Sequence, residues 1–319
     1  MASKDACPFF SIVMPVYNKE RFVGRAIESV LNQEYSNFEL IVVCDPSTDG
    51  SSAKVASFND DRLRVFHRDN PGPGGYAARN LGIMNSCANW ICFLDADDEW
   101  LPNHLVNSKE AIEKYPDINF ISNNYATVSD LRSPGFTEKS EFKANSSGKF
   151  SREDALRFLA SKDIFHTNGV VLKKEVILAA GMFPDGKTNR AGDVDLFLKA
   201  VITTEHVYIS DIVTSLYYVD ESGVVKNVES TGKVHPVTIT VKSLLYNISE
   251  KATKKNLMLL SNRKAVAWSM QRKMGGMFEF SELANLFFSQ LSLTQWIRVP
   301  FLLMPNGVVK VYKKLSSRD

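Results

Sequence analysis

The sequence predicts an α/β protein built on a mostly parallel sheet flanked by helices, and three observations predict it. Short apolar runs alternate with stretches of helical periodicity over the first hundred residues. Two of the strand-like runs are apolar throughout rather than alternating, as strands covered on both faces are. Several of the runs end in polar or acidic groups, and in open α/β sheets ligands bind beyond the carboxyl ends of the strands.

Phe9–Val16 is the first apolar run, and Lys19–Gln33 follows with Phe22, Val23, Ala26, Ile27, Val30 and Leu31 at helical spacing. Phe38–Asp45 reads as the second strand. Ser51–Phe58 reads as a short helix capped by Asp49 or Ser51, and Leu63–His67 as the third strand. Tyr76–Cys87 reads as a helix and Trp90–Leu94 as the fourth strand. Beyond these, the pattern predicts a helix over Asn103–Tyr115, a strand over Ile118–Val128 and a mobile loop over 129–150. Ser151 with Asp154 opens a helix in the manner of a capping box. Strands over Gly169–Leu172 and His206–Val213 flank a helix over Asp193–Thr203, and from about 236 the pattern turns helical. No internal repeat or low-complexity block is present.

The chain has 319 residues, 44% apolar and 23% charged, which is ordinary globular composition and excludes wholesale disorder, collagen and small disulfide scaffolds. A net charge of +2 from 38 basic and 36 acidic residues argues against a nucleic-acid partner. Cys7, Cys44, Cys87 and Cys92 form no CxxC pair and no Cys/His metal spacing, consistent with a reducing compartment. The N-terminus lacks the apolar core of a signal peptide, and no apolar run is long enough to span a membrane. Residues 292–319 differ from the rest. Five basic residues (Arg298, Lys310, Lys313, Lys314, Arg318) stand there against Asp319 alone, beside Trp296, Phe301 and Tyr312. Such a tail either contacts an anionic membrane surface or packs on the core as a C-terminal helix, with Pro300 and Pro305 interrupting any long helix.

The strand ends carry the chemistry. The first strand ends in Pro15-Val16-Tyr17-Asn18, the second in Asp45 followed by Pro46-Ser47-Thr48-Asp49-Gly50, and the fourth in Asp95-Ala96-Asp97-Asp98. Three carboxylates within four residues repel one another unless something cationic neutralises them. Oxygen ligands of this kind suit Mg²⁺ or Mn²⁺, and the same acids could otherwise serve as first-turn acids of the helix after Pro102. Pro71–Asn80 is a glycine-rich turn running into a helix, which offers backbone N–H groups to an anion, and Arg79 lies one turn into that helix.

Taken together, PVYN at 15–18, Asp45 with STDGS at 47–51, AARNLGI at 77–83 and FLDADD at 93–98 resemble glycosyltransferase family 2, the GT-A group of inverting enzymes that use nucleotide-diphospho-sugars. The resemblance is clear over 9–105 and returns at 165–200. It implies a GT-A domain over 1–235, with a nucleotide-sugar half to about 105 and an acceptor half after it, followed by a helical region over 236–319. It implies that Pro15 and Tyr17 border the base, that Asp45 hydrogen-bonds it (commonly uracil), and that Arg79 sits near the diphosphate. Asp95 and Asp97 match the DxD motif, with Asp97 at the ribose or metal and Asp98 also within reach of a metal, Mn²⁺ or Mg²⁺. Asp193 matches the catalytic base of the family's Glu-Asp pair. The chain departs from the pattern at Cys44-Asp45-Pro46-Ser47, where one carboxylate of the usual Asp-Asp-Gly-Ser is lost, and at Gly192, which replaces the usual Glu.

The resemblance implies an inverting transfer of sugar to a glycan or lipid-linked acceptor, as in surface polysaccharide synthesis, in the cytoplasm or at the inner face of the cell membrane. Without it, Asp193 and Asp195 read as first-turn acids of a helix, and His166 as structural. Two alternatives stay open. A sugar-phosphate nucleotidyltransferase usually carries a glycine-rich, lysine-bearing loop where this chain has PVYNKE. A non-catalytic nucleotide-binding membrane scaffold would have no need of acids at 95, 97, 98 and 193.

Overall fold

The computed structural model describes residues 7–128, 147–219 and 232–305. Among them nine strands form one mixed sheet. β1 (Phe10–Val16), β2 (Phe38–Cys44), β3 (Leu63–His67) and β4 (Trp90–Phe93) are the parallel part, in the order β3-β2-β1-β4. β2 is buried along its whole length, which is why it shows no alternation. The crossovers are made by α1 (Val23–Leu31), α2 (Ser51–Ala56) and α3 (Tyr76–Asn85). α2 is entered through Asp49, whose Oδ1 accepts the Ser51 N–H at 3.0 Å. α3 lies close on β1 because Gly82 has no side chain: a Cβ there would stand 2.4 Å from Val13 Cγ1.

The second half of the sheet is mixed. β8 (Val170–Lys173) runs antiparallel to both β4 and β6 (Phe120–Val128), and β9 (His206–Tyr218) runs parallel to β6. The two-residue β5 (Glu99–Trp100) and β7 (Gly148–Ser151) pair antiparallel with β9. Residues 148–150 therefore correct the loop expected over 129–150, because the edge of β9 takes them up as a strand; residues 129–146 lie outside the described residues. β9 also continues five residues past the expected Val213, since its far half pairs with β5 and β6.

α4 (His104–Lys114), α5 (Arg152–Ser161), α6 (Lys174–Ala179) and α7 (Gly192–Thr203) cover this half. Ser151 caps α5, its Oγ accepting the Asp154 N–H at 3.1 Å. α8 (Pro236–Leu244) and α9 (Lys251–Met274) do not stand apart from the sheet. Val237, Val241, Leu257 and Leu260 belong to the same buried cluster as Phe120, Leu156, Leu172 and Leu196. Polar ties reinforce the contact: Thr240 to Asp195 (2.5 Å), Asn256 to Glu153 (2.6 Å), and Arg263 and Lys264 to Asp163 (2.7 and 2.6 Å). The last helix, α10 (Leu293–Leu303), packs on α9 and contains Pro300. Proline does not break it because both Pro300 and the carbonyl-bearing Trp296 one turn earlier are exposed, so water can satisfy the orphaned carbonyl. The basic residues from Lys310 onward lie outside the described residues.

Candidate functional site

The register of the sheet decides which loops meet. β1, β2 and β4 are parallel, so Pro15–Asn18, Asp45–Gly50 and Asp95–Asp98 emerge at one edge. β8 is antiparallel to β4, so its beginning rather than its end lies there, and the turn His166-Thr167-Asn168-Gly169 joins the same edge. β6 and β9 point the same way as β4 and bring Tyr125, Tyr217 and Tyr218 to that edge. The loops of the two halves thus converge on one edge of the sheet.

The first two loops clasp each other. Asn18 adopts φ 51°, a left-handed conformation asparagine tolerates. Its Oδ1 accepts the Thr48 N–H at 2.8 Å, and Ser47 Oγ accepts the Asn18 N–H at 3.0 Å. Ser51 Oγ accepts the Lys19 N–H at 2.7 Å, and Glu20 accepts from Gly50 at 3.0 Å. This pairing leaves Tyr17 exposed and Pro15 half-buried at the rim. Asp45 is buried below them, its two oxygens taken by Arg68 (2.6 Å) and the Gly72 N–H (3.2 Å).

Gly72 begins the turn before α3. Gly74 and Gly75 both sit at φ 66°, where a side chain would be strained, and a Cβ on Gly75 would approach Pro15 to 3.3 Å. Arg79 is buried beneath the turn. It donates to the Gly74 carbonyl (2.7 Å) and to the Asp95 carboxylate, and its ring-side neighbour is Phe183. Burial works against the charge of Arg79, but Asp95 outweighs it and holds the guanidinium even more firmly protonated.

The other two acids of the cluster are also engaged. Asp97 forms an ion pair with Lys19 at 2.6 Å, and its carbonyl accepts from Arg25 at 2.5 Å. Asp98 is 1% exposed; Oδ2 accepts from Asn168 Nδ2 at 2.6 Å and Oδ1 from the Tyr218 N–H at 2.9 Å. Burial, with Asp97 and Asp95 adding, pushes its carboxyl well above the usual carboxylate range. Asn168 is itself fully buried. Its Oδ1 accepts the Asp95 N–H at 3.0 Å and its backbone carbonyl accepts from the Trp100 indole at 2.8 Å. One asparagine therefore ties the acidic turn to the start of β8.

Asp193 enters from the N-terminus of α7. Thr167 Oγ1 stands 3.5 Å from its Oδ2. Its charge reaches Tyr76, whose hydroxyl is pushed up chiefly by burial and then by Asp193, and it also reaches Arg79 and His166. The next acid, Asp195, is buried and serves the scaffold, bound to Lys199 (2.5 Å) and Thr240 (2.5 Å). Gly192 has a steric cause. Its N–H donates to the Tyr76 hydroxyl at 2.9 Å, and a Cβ would lie 2.7 Å from the Tyr76 ring and 2.9 Å from Pro184. Tyr76, stacked on Phe183 (ring centroids 5.9 Å), occupies the space that a glutamate side chain would need.

All eight residues singled out in the sequence, Pro15, Tyr17, Asp45, Arg79, Asp95, Asp97, Asp98 and Asp193, border this edge. Lys19, Arg68, Tyr76 and Asn168 were not singled out. Lys19 and Arg68 follow strand ends directly, a signal the sequence does carry; Tyr76 and Asn168 act across the fold and leave no local pattern. His166 stacks on Tyr125 (4.3 Å) and lies 4.9 Å from Tyr217; burial pulls its imidazole below the usual range.

Among the described residues no three acidic, histidine or cysteine side chains converge as a ready metal cage. The donor chemistry nevertheless fits a hard divalent cation. Asp97 and Asp98 would offer it neighbouring carboxylate oxygens, and such ions need only one or two protein carboxylates when a substrate supplies phosphates.

The family model described as "Glycosyl transferase family 2" matches residues 11–176. The chain belongs to glycosyltransferase family 2. A curated relative in Escherichia coli, the UDP-Glc:alpha-D-GlcNAc-diphosphoundecaprenol beta-1,3-glucosyltransferase WfgD, is 36% identical over 120 residues, 38% of this chain and 47% of that protein. Of four curated relatives, the chain's matching part spans only 14% to 47% of the length. The fold is that of Staphylococcus aureus TarS 1-349, solved in complex with UDP-GlcNAc, with TM-score 0.66 at 17% identity over 91% of this chain and 78% of that one. It is also that of the mannosyltransferase PcManGT from Pyrobaculum calidifontis, solved with GDP-Man and Mn²⁺, with TM-score 0.58 at 17% identity over 98% and 85%. The expected α/β GT-A class therefore holds, and the family 2 match covers the loops after β1, β2 and β4 and the Asn168 turn.

Proposed function

We propose that this family 2 chain transfers a sugar, with inversion, from a nucleotide-diphospho-sugar to a hydroxyl of a glycan or lipid-linked acceptor. The observation that carries the reading is the placement of Asp193 at the start of α7, in electrostatic contact with the Arg79–Asp95 pair. This nearness of Asp193 to the Arg79–Asp95 pair supports a base acting beside a donor-binding turn.

In this reading Pro15 and Tyr17 border the nucleotide base and Asp45 accepts from it, oriented by Arg68 and Gly72. Arg79 holds the Gly74 turn beside the diphosphate. Asp97 and Asp98 would hold Mn²⁺ or Mg²⁺, which when bound supplies positive charge to the departing diphosphate. Asp193 takes the proton of the acceptor hydroxyl. That oxygen forms a bond to the anomeric carbon from the face opposite the diphosphate, and the bonding pair leaves with the phosphate oxygen. One displacement by an external nucleophile inverts the centre, so an α-linked donor yields a β-linked product. The activity of WfgD and the UDP-GlcNAc bound to TarS favour a UDP-sugar as donor, and the activity of WfgD a lipid-linked acceptor. Free cysteines throughout the described residues agree with action in the cytoplasm.

A panel of nucleotide-sugars with Mn²⁺, scored by thermal shift, identifies the donor, because a true donor stabilises the folded state by mass action. With that donor, Asp193→Ala is expected to lower turnover by about 10²–10⁴-fold while leaving donor binding intact. Wild-type turnover in that variant would remove Asp193 as the base.

A further inference from the structure

Asp45, Asp95 and Asp97 each carry a counter-cation, and the three cations are not alike. Arg79 is buried and its fork is fixed, donating to the Gly74 carbonyl (2.7 Å) as well as to Asp95. Arg68 is likewise a planar guanidinium, on an Asp45 whose other oxygen already takes the Gly72 N–H. Lys19 is a compact ammonium on a flexible four-carbon stem. Its backbone is pinned: the N–H donates to Ser51 Oγ at 2.7 Å, and the carbonyl accepts from the Phe22 and Val23 N–H groups at 2.9 Å each. Its side chain has one hydrogen-bond partner among the described residues, Asp97 Oδ2 at 2.6 Å. An ammonium has three donors, so two are committed to no described residue.

The acid it holds is buried, and among the described residues only Lys19 donates to the Asp97 carboxylate. Asp98, by contrast, has both oxygens taken by neutral donors, Asn168 and the Tyr218 N–H. If Asp97 and Asp98 receive the divalent cation, a positive charge of the protein already stands on one of them. Like charges sharing one carboxylate oppose each other, and burial strengthens the effect. A diphosphate changes the balance. Its oxygens can take the two spare donors of Lys19 in charge-assisted hydrogen bonds, and its negative charge accommodates both cations.

We propose that Lys19 makes divalent-cation binding conditional on the diphosphate. Without donor, Lys19 holds Asp97 and keeps the cation weakly bound; when the diphosphate arrives, the ammonium turns to it and frees the Asp97 oxygen. The proposal rests on the reading of Asp97 as a metal ligand, and adds to it an order of binding. Coupling of this kind is reciprocal, so the cation favours the diphosphate by the same factor.

The test is a Mn²⁺ titration of the full chain, with free Mn²⁺ counted by electron paramagnetic resonance, without nucleotide and with saturating UDP. The wild type should bind Mn²⁺ weakly alone and more tightly with UDP. Lys19→Met should bind Mn²⁺ about tenfold more tightly than the wild type without UDP, and UDP should then add less. Lys19→Gln, which keeps a donor to Asp97 but no charge, should follow Lys19→Met and guards against an effect of misfolding. Lys19→Arg should stay weak. Lys54→Met removes a charge from α2 that lies over the Phe58 ring instead of on Asp97, and should match the wild type. The proposal is overturned if both neutral variants bind Mn²⁺ no more tightly than the wild type, or if UDP tightens binding equally in all of them. Should Asp97→Asn abolish Mn²⁺ uptake while the neutral Lys19 variants leave it unchanged, the role of Lys19 falls and the metal reading stands. Uptake by none of the proteins, with or without UDP, removes both.

Discussion

The acids that two parts of the chain bring to this edge of the sheet are held in opposite ways. After the first, second and fourth strands the carboxylates singled out are satisfied by the protein: Asp45 by Arg68, Asp95 by Arg79, Asp97 by Lys19, Asp98 by Asn168 and Tyr218. At the start of α7 the Asp193 side chain makes, among the described residues, one long contact, 3.5 Å from a threonine hydroxyl. A carboxylate whose oxygens are taken by fixed donors is held in position, whereas one with few partners leaves an oxygen open to an incoming hydroxyl. The difference suits a donor pocket that binds and a base that reacts.

The comparison can be broken most directly by exchanging the effects. Asp193→Asn should reduce kcat by orders of magnitude with little change in the donor's KM, whereas Asp97→Asn should weaken donor binding as well as turnover, by about one to two orders of magnitude in kcat/KM for the loss of a charge-assisted contact. Steady-state kinetics with the donor found by thermal shift separate the two. Equal splits between kcat and KM in both variants would erase the distinction.

Asn168 tests whether the two sides are mechanically joined. Its side chain serves Asp95 and Asp98 at once and is fully buried, so Asn168→Ala leaves the partly buried Asp95 N–H and one oxygen of the buried Asp98 carboxylate without these partners, Tyr218 keeping the other. The expected loss is about 2–4 kcal/mol in chemical denaturation, together with weakened donor binding although Asn168 is not proposed to touch donor. A loss of stability with donor affinity unchanged would mean that the clasp supports the fold and nothing more.

The first half of the sheet was largely legible in the sequence for a physical reason. β1, β2 and β4 are largely apolar runs, the crossovers are local, and the singled-out acids stand at strand ends, as Asp45 and Asp95 do. The acceptor half is made by pairing over long distances: β8 joins β4 to β6, and β7 exists only because β9 offers an edge. Nothing near Asn168 signals that it will reach Asp98, 70 residues away in the chain. Gly192 is legible only as a departure from the family pattern; its cause, the Tyr76 ring, lies 116 residues upstream. The helices after 236 were expected as a region of their own, and their sequence does not disclose that Val237 and Leu257 complete the core beneath α7.

That last contact makes the smallest prediction. Asp163, just after α5, faces Arg263 and Lys264 of α9. Burial raises its carboxyl, but the two cations and their hydrogen bonds prevail and lower it to about 2. In the unfolded chain an aspartate titrates near about 3.9. Because the folded value is the lower one, the pair stabilises the protein fully above about pH 4, and this contribution is lost as pH falls through 2. Asp163 is 48% exposed, so solvent screening keeps the effect to under about 1 kcal/mol. Asp163→Asn should therefore lower the urea midpoint slightly at pH 7, and the gap from wild type should close between about pH 4 and pH 2. A gap that stays constant over that range would show that α9 is held to the acceptor half by its apolar contacts alone, and that the ion pairs across this junction follow from the packing rather than strengthen it.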